Sequence, residues 1–180
     1  MLQLLVERDV ADAAAADFGA WSGYRVPDDR SAWHPLSARL YAYWLEIAPP
    51  GRLPGRQHIT PESIAPLWSR LCMLDVFREP LRFRYRVCGT ELVRGFGCEV
   101  TGRWLDEVHP QFIENQQSRD RFRFMTTTGN ATWRCGKPLW TRHPDHRTVE
   151  SCVVPLAADG ETVDQLLTIT LAFDSANRLV

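Results

Sequence analysis

The sequence predicts an α+β domain built around an antiparallel sheet. In residues 82–88, Phe83, Tyr85 and Val87 alternate with arginines, as expected of a strand with one buried face. In residues 164–173 large apolar residues also recur at every second position. The predicted elements follow the order of two helices, two strands, several short helices and three strands.

Two helices are predicted before the sheet. The first covers residues 36–48, with Pro35 in its first turn, because apolar residues recur there at helical spacing. They are Leu36, Leu40, Trp44 and Ile47. The second helix begins after Thr60, which can cap it, with Pro61 at the first helical position.

Five strands and a central helical region make up the rest of the predicted domain. The short link at Glu79-Pro80 predicts that the first two strands form a hairpin. Short helical turns are expected at 91–97 and 105–109, and a longer helix over 110–125. The predicted strands are 72–77, 82–88, 132–141, 149–156 and 164–173.

Composition narrows the class of protein. The chain of 180 residues favours one domain, and its net charge of −1 gives no argument for a nucleic-acid or membrane partner. The N-terminus lacks the basic region of a secretory signal, and no apolar run is long enough to span a bilayer, so a cytoplasmic location is expected. Five widely spaced cysteines with no CxxC pair favour buried thiols over a disulfide framework or a metal site.

A set of short motifs resembles a known group of proteins. The motifs are Tyr43-Trp44-Leu45, Gly51-Arg52-Leu53-Pro54, Leu74-Asp75-Val76, Phe83 to Leu92, Thr101 to Glu107, Pro155-Leu156 and Val163 to Leu167. As a set they resemble small proteobacterial single-domain PAS proteins, formerly classed as a domain of unknown function. The resemblance covers about residues 36–172.

The resemblance implies a PAS-like fold and a role in signalling. In that fold a five-stranded antiparallel sheet has its last strand at the centre and is flanked by the helix at 111–125. We therefore expect a PAS-like domain over 36–175, preceded by an N-terminal extension over 1–35 that is partly helical and lies outside the main core. The resemblance implies no catalytic residue and no settled ligand, so the cofactor is unknown.

The sequence contains no strong motif for catalysis. Phosphate-loop, dinucleotide and nucleophile-elbow patterns are absent, so the chain is not expected to be an enzyme. His109 could hold a haem, or it could simply lie in the turn before a helix. The run His143-Pro144-Asp145-His146 is read as a turn and not a metal site, because further ligands cannot be placed.

A basic stretch stands out between residues 118 and 147. It holds seven basic and two acidic residues, among them Arg121 and Arg134. This excess could meet an acidic partner or an anionic ligand, or it could be a solvated face. The stretch contains no recognised nucleic-acid motif.

Aromatic and apolar residues suggest a ligand cavity between the sheet and the helices. Strand parity together with PAS topology places six side chains there as a hypothesis: Tyr85, Trp104, Phe112, Trp133, Cys152 and Ile169. A solid core at the same place is the alternative.

These observations predict that the protein is a sensory or regulatory module that binds a small molecule, a partner protein or both. A pure protein–protein interaction module without a ligand is the alternative, and a haem sensor or an enzyme is a remote one. A separate signalling protein is expected to receive the output. A homodimer is also expected, because the first helix has a wide apolar face; its proposed interface residues are Leu40, Tyr43, Trp44 and Ile47.

Overall fold

A computed structural model describes residues 23–137 and 147–180. The helices are α1 (Pro35–Glu46), α2 (Pro61–Ile64), α3 (Thr90–Phe96), α4 (Leu105–Val108), α5 (Gln111–Glu114) and α6 (Gln116–Thr128). The strands are β1 (Leu71–Arg78), β2 (Leu81–Cys88), β3 (Thr132–Gly136), β4 (Thr148–Leu156) and β5 (Gln165–Phe173). In this part of the chain, no helix is long and apolar enough to cross a membrane.

The five strands form one antiparallel sheet in the order β2-β1-β5-β4-β3. The prediction that the last strand lies at the centre is therefore confirmed. The predicted hairpin is also confirmed, since β1 and β2 pair directly, with Arg78 opposite Leu81. Residues 138–141, predicted to extend β3, lie outside the described residues.

The long helix predicted over 110–125 is divided in two. Asn115 adopts extended backbone angles between α5 and α6, and its side chain accepts a hydrogen bond from the backbone N–H of Ser118 at 2.8 Å. Asparagine is a favoured capping residue because its carbonyl satisfies an N–H that the first helical turn leaves unpaired. The second predicted helix also changes form, because a 3-10 helix over Ala65–Arg70 follows the single turn of α2.

Both faces of the sheet are buried, so the core has two parts. The α1-side core lies under α1 and contains Trp33, Leu40, Ile64, Leu67, Leu71, Met73, Trp133, Cys152, Val154, Leu156, Leu167, Ile169, Leu171 and Phe173. The cavity-side core lies on the other face and contains Cys72, Leu74, Phe83, Tyr85, Leu92, Val100, Leu105, Met125, Val153, Val163 and Leu166. Consecutive residues of β5 alternate between the two cores, as the pleat of a strand requires.

Helix α1 closes the α1-side core. His34 caps its first turn by accepting a hydrogen bond from the Leu36 N–H through Nδ1. Leu40 is completely buried. Trp44 is fixed to the sheet because its indole Nε1 donates a hydrogen bond to the Pro155 carbonyl at 2.7 Å.

The predicted N-terminal extension requires a correction. Trp33 is only 6% exposed and stacks on Trp133, with the ring centroids 5.3 Å apart and the planes inclined by 8°. The backbone N–H of Trp133 also donates to the Tyr24 carbonyl at 3.1 Å. Trp33 therefore belongs to the α1-side core and Val26 packs against it, whereas residues 28–32 are exposed. Residues 1–22 of the predicted extension lie outside the described residues.

Candidate functional site

A cavity of about 100 Å³ lies between the sheet and the helices α3 to α6. Apolar atoms make up most of the wall surface, and the apolar lining residues are Cys72, Leu74, Leu92, Phe96, Leu105, Phe112, Phe122 and Val153. Strands β1, β4 and β5 supply the floor, and the helices supply the opposite wall. Mainly apolar walls with a few polar groups are typical of small-molecule sites.

Three phenylalanines hold the helices over the cavity. Phe122 of α6 contacts Phe83 of β2 at a centroid distance of 4.8 Å and Phe112 of α5 at 4.9 Å. Both pairs are edge-to-face, the arrangement that the ring quadrupole favours. These contacts fix α5 and α6 against the edge of the sheet.

The polar lining residues fall on two sides of the cavity. Tyr85 lies on the edge strand β2, whereas Arg134 lies on the opposite edge strand β3. Thr168 and Thr170 of the central strand lie between them. The remaining polar lining residues are His109, Gln111, Ser118, Arg121 and Ser151.

Tyr85 and His109 form a hydrogen-bonded pair at the β2 side. The Tyr85 hydroxyl lies 2.9 Å from Nε2 of His109. Burial lowers the pKa of His109 to about 4, with a smaller contribution from the charge of Arg103. Burial also raises the pKa of Tyr85 well above its ordinary value. Both side chains are therefore uncharged at neutral pH.

Two buried arginines lie at the opposite side. Arg121 of α6 is 1% exposed; its Nε donates to the Thr132 hydroxyl at 2.8 Å and its Nη2 to the Ser151 carbonyl at 3.0 Å. Burial, followed by the nearby charge of Arg134, lowers the pKa of Arg121 well below its ordinary value. Burial also lowers the pKa of Arg134 to about 10, so this side of the cavity is cationic at neutral pH.

Comparison with known protein families decides the identity of the fold. A profile described as a PAS domain matches residues 32–170, which is more than three quarters of the chain. The chain belongs to the PAS domain family. No curated protein and no solved structure matched it.

Two of the six side chains proposed for the PAS cavity, Tyr85 and Phe112, line it. Trp133, Cys152 and Ile169 instead belong to the α1-side core, and this part of the prediction is corrected. Trp133 pairs with Cys152 and Cys152 with Ile169 across the sheet, so the three share one face. Strand parity indicated that shared face, but it could not indicate that α1 covers it.

Trp104 is the sixth proposed residue, and it also lies outside the cavity wall. It precedes α4, and the Arg82 guanidinium carbon lies 4.1 Å from the centroid of its ring. Phe77 contacts the same ring edge-on at 4.9 Å. Arg82 is fixed in turn by a bidentate hydrogen bond to Asp106, at 3.0 and 2.9 Å. Trp104 therefore holds α4 to the outside of the β1–β2 hairpin.

The proposed interface residues on α1 pack mainly against their own chain. Leu40 is completely buried, so the proposal that it contacts a second subunit is corrected. Tyr43 is half-buried, and its hydroxyl accepts a hydrogen bond from the Thr60 N–H at 2.7 Å. Trp44 is half-buried against the α1-side core, and Ile47 is half-buried at the end of α1. Their remaining surface is what a partner could contact.

Sequence reasoning missed the two arginines as cavity residues. Arg121 follows Ser118 by three positions and precedes Met125 by four, and all three are buried on one face of α6. That spacing was available in the sequence, but a basic stretch more commonly forms a solvated face, so the two arginines were not assigned to the cavity. The His143–His146 motif lies outside the described residues.

The haem alternative does not fit this cavity. Nε2 of His109 is engaged with the Tyr85 hydroxyl, and a volume of about 100 Å³ is far smaller than a porphyrin needs. His109 is thus a polar group of the cavity wall. The other reading, a histidine in the turn before a helix, agrees with its place between α4 and α5.

Proposed function

We propose that this PAS domain is a sensory module that binds a small molecule in the cavity between the sheet and α3 to α6. The observation that carries the proposal is the wall itself, which combines apolar side chains with polar groups on two opposite sides. Such a lining can bury an organic molecule and also orient it. The PAS family membership supports a sensory role.

The chemistry of the side chains favours a protein that binds its ligand without catalysing a reaction. Burial raises the pKa of the Cys152 thiol to about 12, so it is protonated and a poor nucleophile at neutral pH. His109 is held by Tyr85 and lies on the other face of the sheet from Cys152. A nucleophile and a base are therefore not brought together by these residues.

A bound molecule would act by shifting the population between two arrangements of the wall. The short helices α3 to α5 are the elements most open to such a shift, because each offers at most two turns of helical hydrogen bonds. We propose that a separate signalling protein reads this change. Exposed apolar side chains such as Phe77 and Val87, on the β1–β2 hairpin, provide surface for that contact.

The sensory proposal is tested by filling the cavity. Thr168→Phe places a large ring on the cavity floor, and Thr162→Phe places the same ring in an exposed turn as a control. Each protein is incubated with a bacterial metabolite extract, separated from unbound compounds and examined by mass spectrometry. We expect wild type and Thr162→Phe to retain at least one compound that Thr168→Phe does not. Retention of nothing, or of the same compounds by all three, would contradict the proposal.

A homodimer through α1 is the second proposal, favoured by Leu45, a large apolar side chain on this helix that is 51% exposed. Light scattering at micromolar concentration should give twice the chain mass of 20.6 kDa. Leu45→Glu should return the mass to one chain, because a charge would be buried at the contact. Val87→Glu, at an exposed apolar site on β2, should leave the dimer intact. A wild-type mass of one chain would rule out the dimer.

A further inference from the structure

Arg121 is an unusual residue for a cavity wall, because a fully buried arginine ordinarily faces a carboxylate. Its hydrogen bonds go to two neutral oxygens, the Thr132 hydroxyl and the Ser151 carbonyl. Within residues 23–137 and 147–180, no ion pair involves Arg121. A guanidinium group has five N–H donors, and these two bonds use only two of them.

Arg134 adds a second positive charge to the same side of the cavity. It is 9% exposed, and its Nη1 donates to the Ser118 hydroxyl at 3.4 Å. The charge of Arg134 contributes to the lowered pKa of Arg121, so the two guanidinium groups lie near each other, and an anion beside Arg121 would relieve this repulsion. The neighbouring lining groups Ser118 and Thr170 add hydroxyl groups that can donate to the same anion.

The rest of the wall restricts what kind of anion fits. A guanidinium fork matches the two oxygens of a carboxylate in a bidentate bond. The apolar side chains suit a hydrocarbon body, and among the described lining residues a polyanion would find no cation besides the two arginines. The volume is of the same order as the engineered apolar cavity of about 150 Å³ that binds benzene in another protein.

We propose that the ligand of this cavity is a small carboxylate with an apolar body. The carboxylate accepts hydrogen bonds from Arg121, and the apolar body contacts Leu92, Phe112 and Val153. This inference rests on the proposed sensory function, because it names the class of molecule that the same cavity binds.

Three probes of similar size separate charge from shape: benzoate, benzamide and toluene. Each is titrated into the full chain while NMR follows the methyl signals of Leu92 and Val153, which line the cavity. Benzamide has nearly the shape of benzoate but no charge. We expect benzoate to bind about tenfold or more tightly than either neutral probe, as a charge-assisted hydrogen bond predicts.

A variant assigns that preference to one side chain. Arg121→Met replaces the guanidinium by an apolar chain of similar length and should make the affinities for benzoate and benzamide equal. Arg123→Met, two residues away on the exposed side of α6, should keep the preference. If Arg121→Met does not fold, the comparison of the three probes on the wild-type protein still decides whether the cavity prefers a carboxylate.

The outcomes distinguish this inference from the function on which it rests. Equal binding of all three probes, or tighter binding of the neutral ones, would overturn the carboxylate assignment and leave the cavity as a small-molecule site. Failure of every probe to shift the cavity methyl signals would overturn both. A benzoate preference that persists in Arg121→Met would also overturn the assignment to Arg121.

Discussion

Leu40→Ala should lower the free energy of unfolding by about 3 kcal/mol. Leu40 is completely buried between α1 and the sheet, where it belongs to the α1-side core together with Trp33 and Leu71. Removing three carbon atoms there loses burial and leaves a cavity that the surrounding side chains fill only in part. Chemical denaturation followed by circular dichroism measures the change.

Leu45→Ala is the matched control on the same helix. Both variants are compared at a protein concentration at which light scattering gives the mass of a single chain, so that the proposed α1 dimer does not contribute. Its side chain is 51% exposed, so the same truncation should cost less than about 0.5 kcal/mol. A cost for Leu40→Ala no greater than that of the control would mean that α1 is not docked on the sheet. In that case the α1-side core would be wrongly assigned, and α1 would be expected to contact a second subunit instead of the sheet.

Acidification from pH 7 to pH 4 should destabilise the domain through His109. The folded protein holds the pKa of this histidine at about 4, mainly because the imidazole is buried, whereas the ordinary value is 6.5. Between these two pH values the unfolded chain binds a proton that the folded chain does not, so stability falls as pH falls. The shift corresponds to roughly 3 kcal/mol once the pH is below both values.

Two variants isolate this contribution. His109→Gln removes the titrating group and should flatten the dependence of unfolding free energy on pH between 4 and 6.5. Tyr85→Phe removes the hydrogen bond to Nε2 but keeps the imidazole buried, so most of the dependence should remain. If wild type and His109→Gln lose stability equally over this range, the imidazole is not held neutral by burial.

The strands could be predicted from the sequence because their patterns are local. The alternation in 82–88 predicts β2, and the structure buries Phe83 and Tyr85 on one face. Val87 departs from the pattern and is 42% exposed, because the pairing of β1 with β2 shifts register between Met73 and Leu74 and Val87 no longer shares the face of Tyr85. Breaks inside helical regions were harder to predict, because Asn115 is compatible both with a helix interior and with a cap.

The assignment of side chains to the two faces could not be predicted in the same way. Parity groups Trp133, Cys152 and Ile169 correctly, but both faces of the central strand are apolar enough to be buried. Which helices cover which face depends on long-range contacts, such as the hydrogen bond from Trp44 to the Pro155 carbonyl. For the same reason, the basic stretch could not be divided into buried and solvated arginines.

Strand β5 forms part of the cavity floor with one face and packs toward α1 with the other. Thr168 lines the cavity, and its neighbour Ile169 belongs to the α1-side core on the other face. Since adjacent strand residues share one peptide unit, a single thickness of backbone separates the two compartments. A ligand that displaces β5 from the cavity side would therefore also change the packing of α1 on the opposite face. Strand β5 would in this way couple the two compartments mechanically.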